Sequence, residues 1–165
     1  MKKLAAGFLV STLLLSPFPA NASVGTTVDK SGTTYISQVY QRGPWYSVKV
    51  QYPGENSSPT LTLVLPDPPY LGDTPPPYYL FSEQTQLITD DVISDLKLLD
   101  TYRDNNDLGI FEFTPAQIAS IQNAKKVSLR VSFYNSNTIR WKVPEKVLQE
   151  WKEVFTKGKS QVPLR

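Results

Sequence analysis

The chain is 165 residues long, carries 17 Lys and Arg against 15 Asp and Glu, and contains neither histidine nor cysteine. That absence removes Ser-His-Asp and Cys-His catalysis, ordinary zinc sites, haem and iron–sulfur ligation, and any disulfide framework. The near balance of charge, with no block of one sign, gives nucleic acid and anionic membranes nothing to hold as partners.

Residues 1–22 have the three parts of a signal peptide: Lys2 and Lys3, the apolar run Leu4 to Leu15, and the small-x-small site Ala20-Asn21-Ala22. Cleavage there makes Ser23 the new N-terminus and predicts an exported protein, periplasmic or extracellular. Removing Lys2 and Lys3 with the leader leaves fifteen basic side chains against fifteen acidic ones, so the mature chain is formally neutral. The Met-Lys-Lys start and the lack of cysteine suit a bacterial envelope, where stability does not depend on disulfides. Asn56-Ser57-Ser58 has the glycosylation pattern, which matters only in a eukaryotic host.

The Ser, Gly and Thr content of residues 23–32 predicts a flexible arm before a single domain at 33–158, with 159–165 as a tail. Tyr35 to Gln41 and Trp45 to Tyr52 are two β-prone runs around Arg42-Gly43-Pro44, and Leu61, Leu63 and Leu65 mark a third strand by alternation. Six of the twelve residues from Pro66 to Pro77 are proline, which fixes φ and removes donors, so an extended loop is expected there. Tyr70, Tyr78 and Tyr79 border this loop. Rings on a stiff, donor-poor backbone can stack on sugars or grip a partner chain at low entropic cost, and these three are the candidate binding residues. The Pro-x-x-P at Pro66 to Pro69 resembles a polyproline ligand, but its reader domains are not expected outside a bacterial membrane.

Short strands are expected at Tyr78–Phe81 and Thr85–Ile88, while Asp90 to Asp95 reads equally as a helical turn or a loop. From there the order strand, strand, helix occurs twice, at about 96–124 and 127–155. In the second unit Val127, Leu129, Val131 and Phe133 alternate with polar residues and Asn135-Ser136-Asn137 turns the chain. Ile139, Trp141 and Val143 then resume the alternation. Pro144 and Glu145 suit a first helical turn, and Val147, Leu148, Trp151, Val154 and Phe155 form one apolar stripe. This helix is expected to pack on its own hairpin and to end at a Gly158 cap. In the first unit Thr114-Pro115 supplies the N-cap and first helical residue.

Strands outnumber helices, and the helices follow hairpins instead of crossing between parallel strands. An α+β fold follows, mainly antiparallel, as a curved sheet or small sandwich with two helices. Asp104 to Gly109 begins like a calcium loop, but Leu108 and Pro115 stand where oxygen ligands are needed, so no metal is expected. No other cofactor is implied. Asp90, Asp91, Asp95 and Glu112 are the carboxylates a hydrolase would draw on, although turn capping and solvation account for them better, since the sequence shows no pocket that would shift a pKa. The reading that results is an exported, non-catalytic binding or interaction module of the cell envelope, acting through the loop 66–79 on a protein or glycan. A small carboxylate-dependent hydrolase and a structural subunit of an envelope assembly are the alternatives.

Overall fold

The computed structural model describes residues 24–29, 32–53, 57–65, 80–103, 107–134 and 138–159. The leader, the proline loop with Tyr70, Tyr78 and Tyr79, the turns at 104–106 and 135–137, and residues 160–165 lie outside the described residues. In chain order the strands are β1 (Gly25–Asp29), β2 (Gly32–Arg42), β3 (Trp45–Tyr52), β4 (Thr60–Leu65), β5 (Gln86–Thr89), β6 (Val92–Asp95), β7 (Lys97–Arg103) and β8 (Asp107–Glu112). Helix α1 (Pro115–Asn123), β9 (Val127–Val131), β10 (Ile139–Lys142) and helix α2 (Glu145–Lys159) follow. They form a six-stranded sheet in the order β1-β2-β3-β4-β8-β7 and a four-stranded sheet in the order β10-β9-β5-β6. Every strand pair is antiparallel.

Register carries the alternation from strand to strand. Val48 and Val50 of β3 stand opposite Leu63 and Leu61 of β4, and Leu61 in turn stands opposite Phe111 of β8. All five are buried, and each contributes roughly 1.5–3 kcal/mol of transfer free energy. In the four-stranded sheet Leu87 faces Leu129, which faces Trp141, and these three are buried as well. Between the sheets lies a layer of rings. Phe81, held to Phe133 by an isolated antiparallel bridge, has its ring centroid 6.0 Å from that of Phe111 and 6.4 Å from that of Trp45. Gly109 makes this approach possible, since a Cβ there would come within 2.5 Å of the Phe81 ring.

The fold is thus α+β and mainly antiparallel, with two helices, but α2 does not sit where local sequence suggested. Each leaves a hairpin of one sheet and packs on the other. α1 follows β7–β8 of the six-stranded sheet yet touches β5 and α2, and its Gln117 side chain reaches across to donate to the Asp95 carbonyl at 2.7 Å. α2 follows β9–β10 of the four-stranded sheet yet lies chiefly on β2 and β3, where Ser37 Oγ donates to its Glu150 at 3.0 Å. The expected docking of α2 on its own hairpin is replaced by a bridging position: Trp151 is fully buried with Trp141 of β10 on one side and Phe113 on the other. The physical reason is area. A helix with a broad apolar stripe buries more of it in the angle between two sheets than on a four-residue hairpin.

Two further expectations change. Gly158 does not end α2; it lies inside the helix, buried, where a Cβ would overlap the Tyr52 ring. Its missing side chain serves a close approach. Residues 25–29, read as part of a flexible arm, form β1, because the eleven-residue β2 extends beyond β3 and offers its outer hydrogen-bonding groups to the β-prone Thr26, Thr27 and Val28.

Candidate functional site

The open face of the four-stranded sheet holds the best-organised polar surface among the described residues. Alternation puts Ser128, Arg130 and Ser132 on the side opposite buried Val127, Leu129 and Val131, and pairing then aligns one row across all four strands. Arg140 of β10 stands opposite Arg130 of β9, Arg130 opposite Gln86 of β5, and Gln86 opposite Asp95 of β6. Hydrogen bonds run along that row. Arg130 Nη1 donates to Gln86 Oε1 at 2.9 Å, and Gln86 Nε2 donates to Asp95 Oδ1 at 2.9 Å. The amide therefore transmits orientation from the carboxylate to the guanidinium.

The turn leading into β5 flanks the row. Gln84 N donates to Ser82 Oγ at 3.2 Å, Thr85 N donates to the Ser82 carbonyl at 3.1 Å, and Ser132 N donates to the buried Thr85 hydroxyl at 3.2 Å. These bonds tie the turn to the end of β9. The result is a shallow depression of about 570 Å³ lined by Glu83, Gln84, Gln86, Asp95, Arg130, Ser132 and Thr138. Beyond Ser132 come buried Phe133 and then, in a bend past the end of β9, Tyr134, which is 63% exposed. Tyr134 N donates to the Leu80 carbonyl at 2.9 Å, which places Leu80 beside this residue.

The candidate carboxylates do not come together. Asp90 opens the tight β5–β6 turn with a left-handed φ of 50°, and its carboxylate accepts from the backbone N–H groups of Lys125 and Lys126 at 3.1 and 2.8 Å. It fastens the α1–β9 connection and has a structural job. Asp91 is exposed in the same turn. Glu112 belongs to the six-stranded sheet, where hydrogen bonding from Lys97 Nζ at 2.6 Å, and then from Ser58, holds its carboxyl below the usual range. Only Asp95 lies in the depression, beside Glu83, which the sequence did not single out.

Among the described residues no group of His, Cys, Asp and Glu is arranged to hold a metal, and no helix is long and apolar enough to cross a membrane. Of the calcium-like hexapeptide, Asp107, Leu108 and Gly109 are described, and all three lie within β8. Tyr70, Tyr78 and Tyr79 lie outside the described residues, so the structure assigns them no place in this surface. Sequence reasoning missed Gln86, Glu83 and Thr138. For Arg130 and Ser132 the signal was present, since both alternate with the core residues of a confident strand.

Fold and surface together define a two-sheet antiparallel α+β protein with an open polar sheet face. Comparisons with protein-family models, curated proteins and solved structures find no significant match.

Proposed function

We propose that this protein is an exported, non-catalytic binding module of a bacterial envelope, and that its ligand is a polyhydroxylated glycan. The observation that carries the reading is the hydrogen-bonded row Arg130–Gln86–Asp95, which offers pre-oriented donors and acceptors across a shallow open face. Sugar hydroxyls need such alternating partners, with a ring edge or face nearby for their C–H surfaces. Tyr134, exposed just past the end of β9, supplies such a ring. The leader-like N-terminus supports export, and Tyr70, Tyr78 and Tyr79 stay in the proposal as a second contact reached through Leu80.

A binding role also explains the site's chemistry better than hydrolysis. Glu83 and Asp95 both line the depression, but both are exposed, whereas a general acid for glycoside cleavage needs shielding from water to hold its proton. The chain has no histidine or cysteine to take over that task. Co-sedimentation with isolated cell-wall sacculi tests the reading. Arg130→Ala and Gln86→Ala are each expected to lower the bound fraction at least tenfold with little change in melting temperature, because both side chains are on the surface. Replacing Tyr70, Tyr78 and Tyr79 together by serine tests the loop's share separately. Undiminished sedimentation of Arg130→Ala removes the sheet face from the site, and release of reducing sugar by the wild type converts the protein into an enzyme.

A further inference from the structure

Cations that are scattered along the chain come together on one border of the four-stranded sheet. Arg140 and Lys142 of β10 alternate with buried Trp141 and Val143, so both side chains stand on the open face. Arg130 of β9 stands opposite Arg140. Val143 N donates to the Val127 carbonyl at 2.9 Å, and bonded pairs recur every second residue, so Arg130 and Arg140 form the closer kind of antiparallel pair, the one without mutual backbone bonds. Like charges set opposite each other there are unfavourable. Arg130 donates to the neutral Gln86 amide, and neither arginine has an ion-pair partner among the described residues.

The basic strip continues past Lys142. A second depression, of about 430 Å³, is lined by Lys125 and Lys126 of the α1–β9 connection together with Lys142, around Val143, Pro144 and Leu148. Two carboxylates lie close to it. Glu145 lines it from the first turn of α2, and Asp90 accepts from the backbone N–H groups of Lys125 and Lys126. None of the three ammonium groups has a hydrogen-bond or ion-pair partner among the described residues. Five cations thus follow β10 and the connection beside it, while Asp95 and Glu83 stand together toward β6.

Given that this face binds a glycan, we infer that the glycan is acidic and that its carboxylate or phosphodiester groups lie along β10. A guanidinium pairs with either group through two parallel N–H donors, and an anion set between Arg130 and Arg140 replaces their mutual repulsion with attraction. Arg140 and Lys142 are two residues apart on one strand, roughly 6–7 Å, so successive charges of an extended acidic chain each meet a cation. A chain laid across the strands would instead carry its charges to Asp95. The hydroxyls of Ser132 and Thr138, 3.5 Å apart beside Arg130, and the Gln86 amide meet sugar hydroxyls, which favours a glycan over a lipid headgroup.

Co-sedimentation with sacculi in three forms tests the charge: untreated, with carboxyls converted to neutral amides, and with phosphodiesters removed by hydrofluoric acid. Wild-type binding to untreated sacculi is expected to weaken as salt rises from about 0.05 to 0.5 M. It should fall about tenfold after whichever treatment removes the bound anion, which also tells carboxylate from phosphodiester. Arg140→Gln and Lys142→Gln should each weaken binding to untreated sacculi while leaving the residual binding to the neutralised form unchanged. Both residues are exposed, so melting temperatures should match the wild type's. Lys49→Gln removes an equal charge from the six-stranded sheet and should change neither binding. Wild-type binding that survives both treatments, undiminished binding by Arg140→Gln, or an equal loss from Lys49→Gln overturns the acidic assignment and leaves the glycan reading standing. Equal binding to phosphatidylglycerol vesicles moves the strip to a membrane surface and overturns the assignment as well. Absence of wild-type sedimentation with every form removes the glycan reading itself, and the acidic assignment with it.

Discussion

Glu150 is the residue whose placement costs the fold most visibly. It projects from α2 toward β2, only 7% exposed, with Oε2 accepting from Ser37 Oγ and Oε1 left without a hydrogen-bond partner. Burial pushes its carboxyl above the ordinary range, and the Ser37 hydrogen bond and the charges of Lys146 and Arg42 oppose the shift only in part. The sign follows directly. A folded-state value raised above the unfolded one means a stability contribution that is whole below the ordinary carboxylate range and is lost as pH rises through the raised value. Glu150→Gln keeps the acceptor for Ser37 and places an amide donor where the protonated acid has its own. It should therefore stabilise the protein at pH 7 by up to about 1 kcal/mol, a difference that closes near pH 4. Urea unfolding at both pH values measures it, and a gap that does not change with pH would assign the effect to packing. At Gly109 and Gly158 the space that a side chain would need is filled by a ring, Phe81 or Tyr52, that lies far away in sequence.

Among the elements, α1 and α2 show how local signals and tertiary demands divide the work. The start of α1 is set locally: Thr114 Oγ1 accepts from Gln117 N at 3.2 Å, Gln117 Oε1 accepts from Thr114 N at 2.9 Å, and Pro115 occupies the first turn. Where the helix lies is set at a distance, by the same Gln117 reaching Ser94 and Asp95 on β6. For α2 the organising contact is Trp151, with ring centroids 6.4 Å from Trp141 and 6.3 Å from Phe113. Trp151→Ala is expected to destabilise the protein by about 3–5 kcal/mol, since the cavity would open between two sheets that cannot both close on it. A loss below about 1 kcal/mol in urea unfolding would contradict the bridging role of this ring.

For the whole molecule, the arrangement of a closed core and an open polar face suits a protein that presents a surface. The two sheets enclose the aromatic layer, and the two helices close the space between them. The outer face of the four-stranded sheet is left to solvent. Intact-mass measurement on protein recovered from the host envelope should give a chain beginning at Ser23, and retention of Met1 would remove the envelope from the proposal.

The sequence alone determined the strands from Tyr35 to Leu65 and from Val127 to Val143, the helix beginning at Thr114-Pro115, the apolar stripe of α2 and the burial of Trp45, Trp141 and Trp151. Alternation, caps and turn residues act between neighbours a few positions apart, so they are written in consecutive residues. Tertiary structure alone decided that each helix packs on the sheet opposite its own hairpin, that residues 25–29 join β2, and that Gly158 serves Tyr52 instead of a cap. It also decided the row Arg140–Arg130–Gln86–Asp95. Those four positions come from strands up to about fifty residues apart, and nothing in any one strand states which residue another strand will set beside it. Register is fixed only when the buried faces of β5, β9 and β10 match one another, and the open face inherits its order from that match.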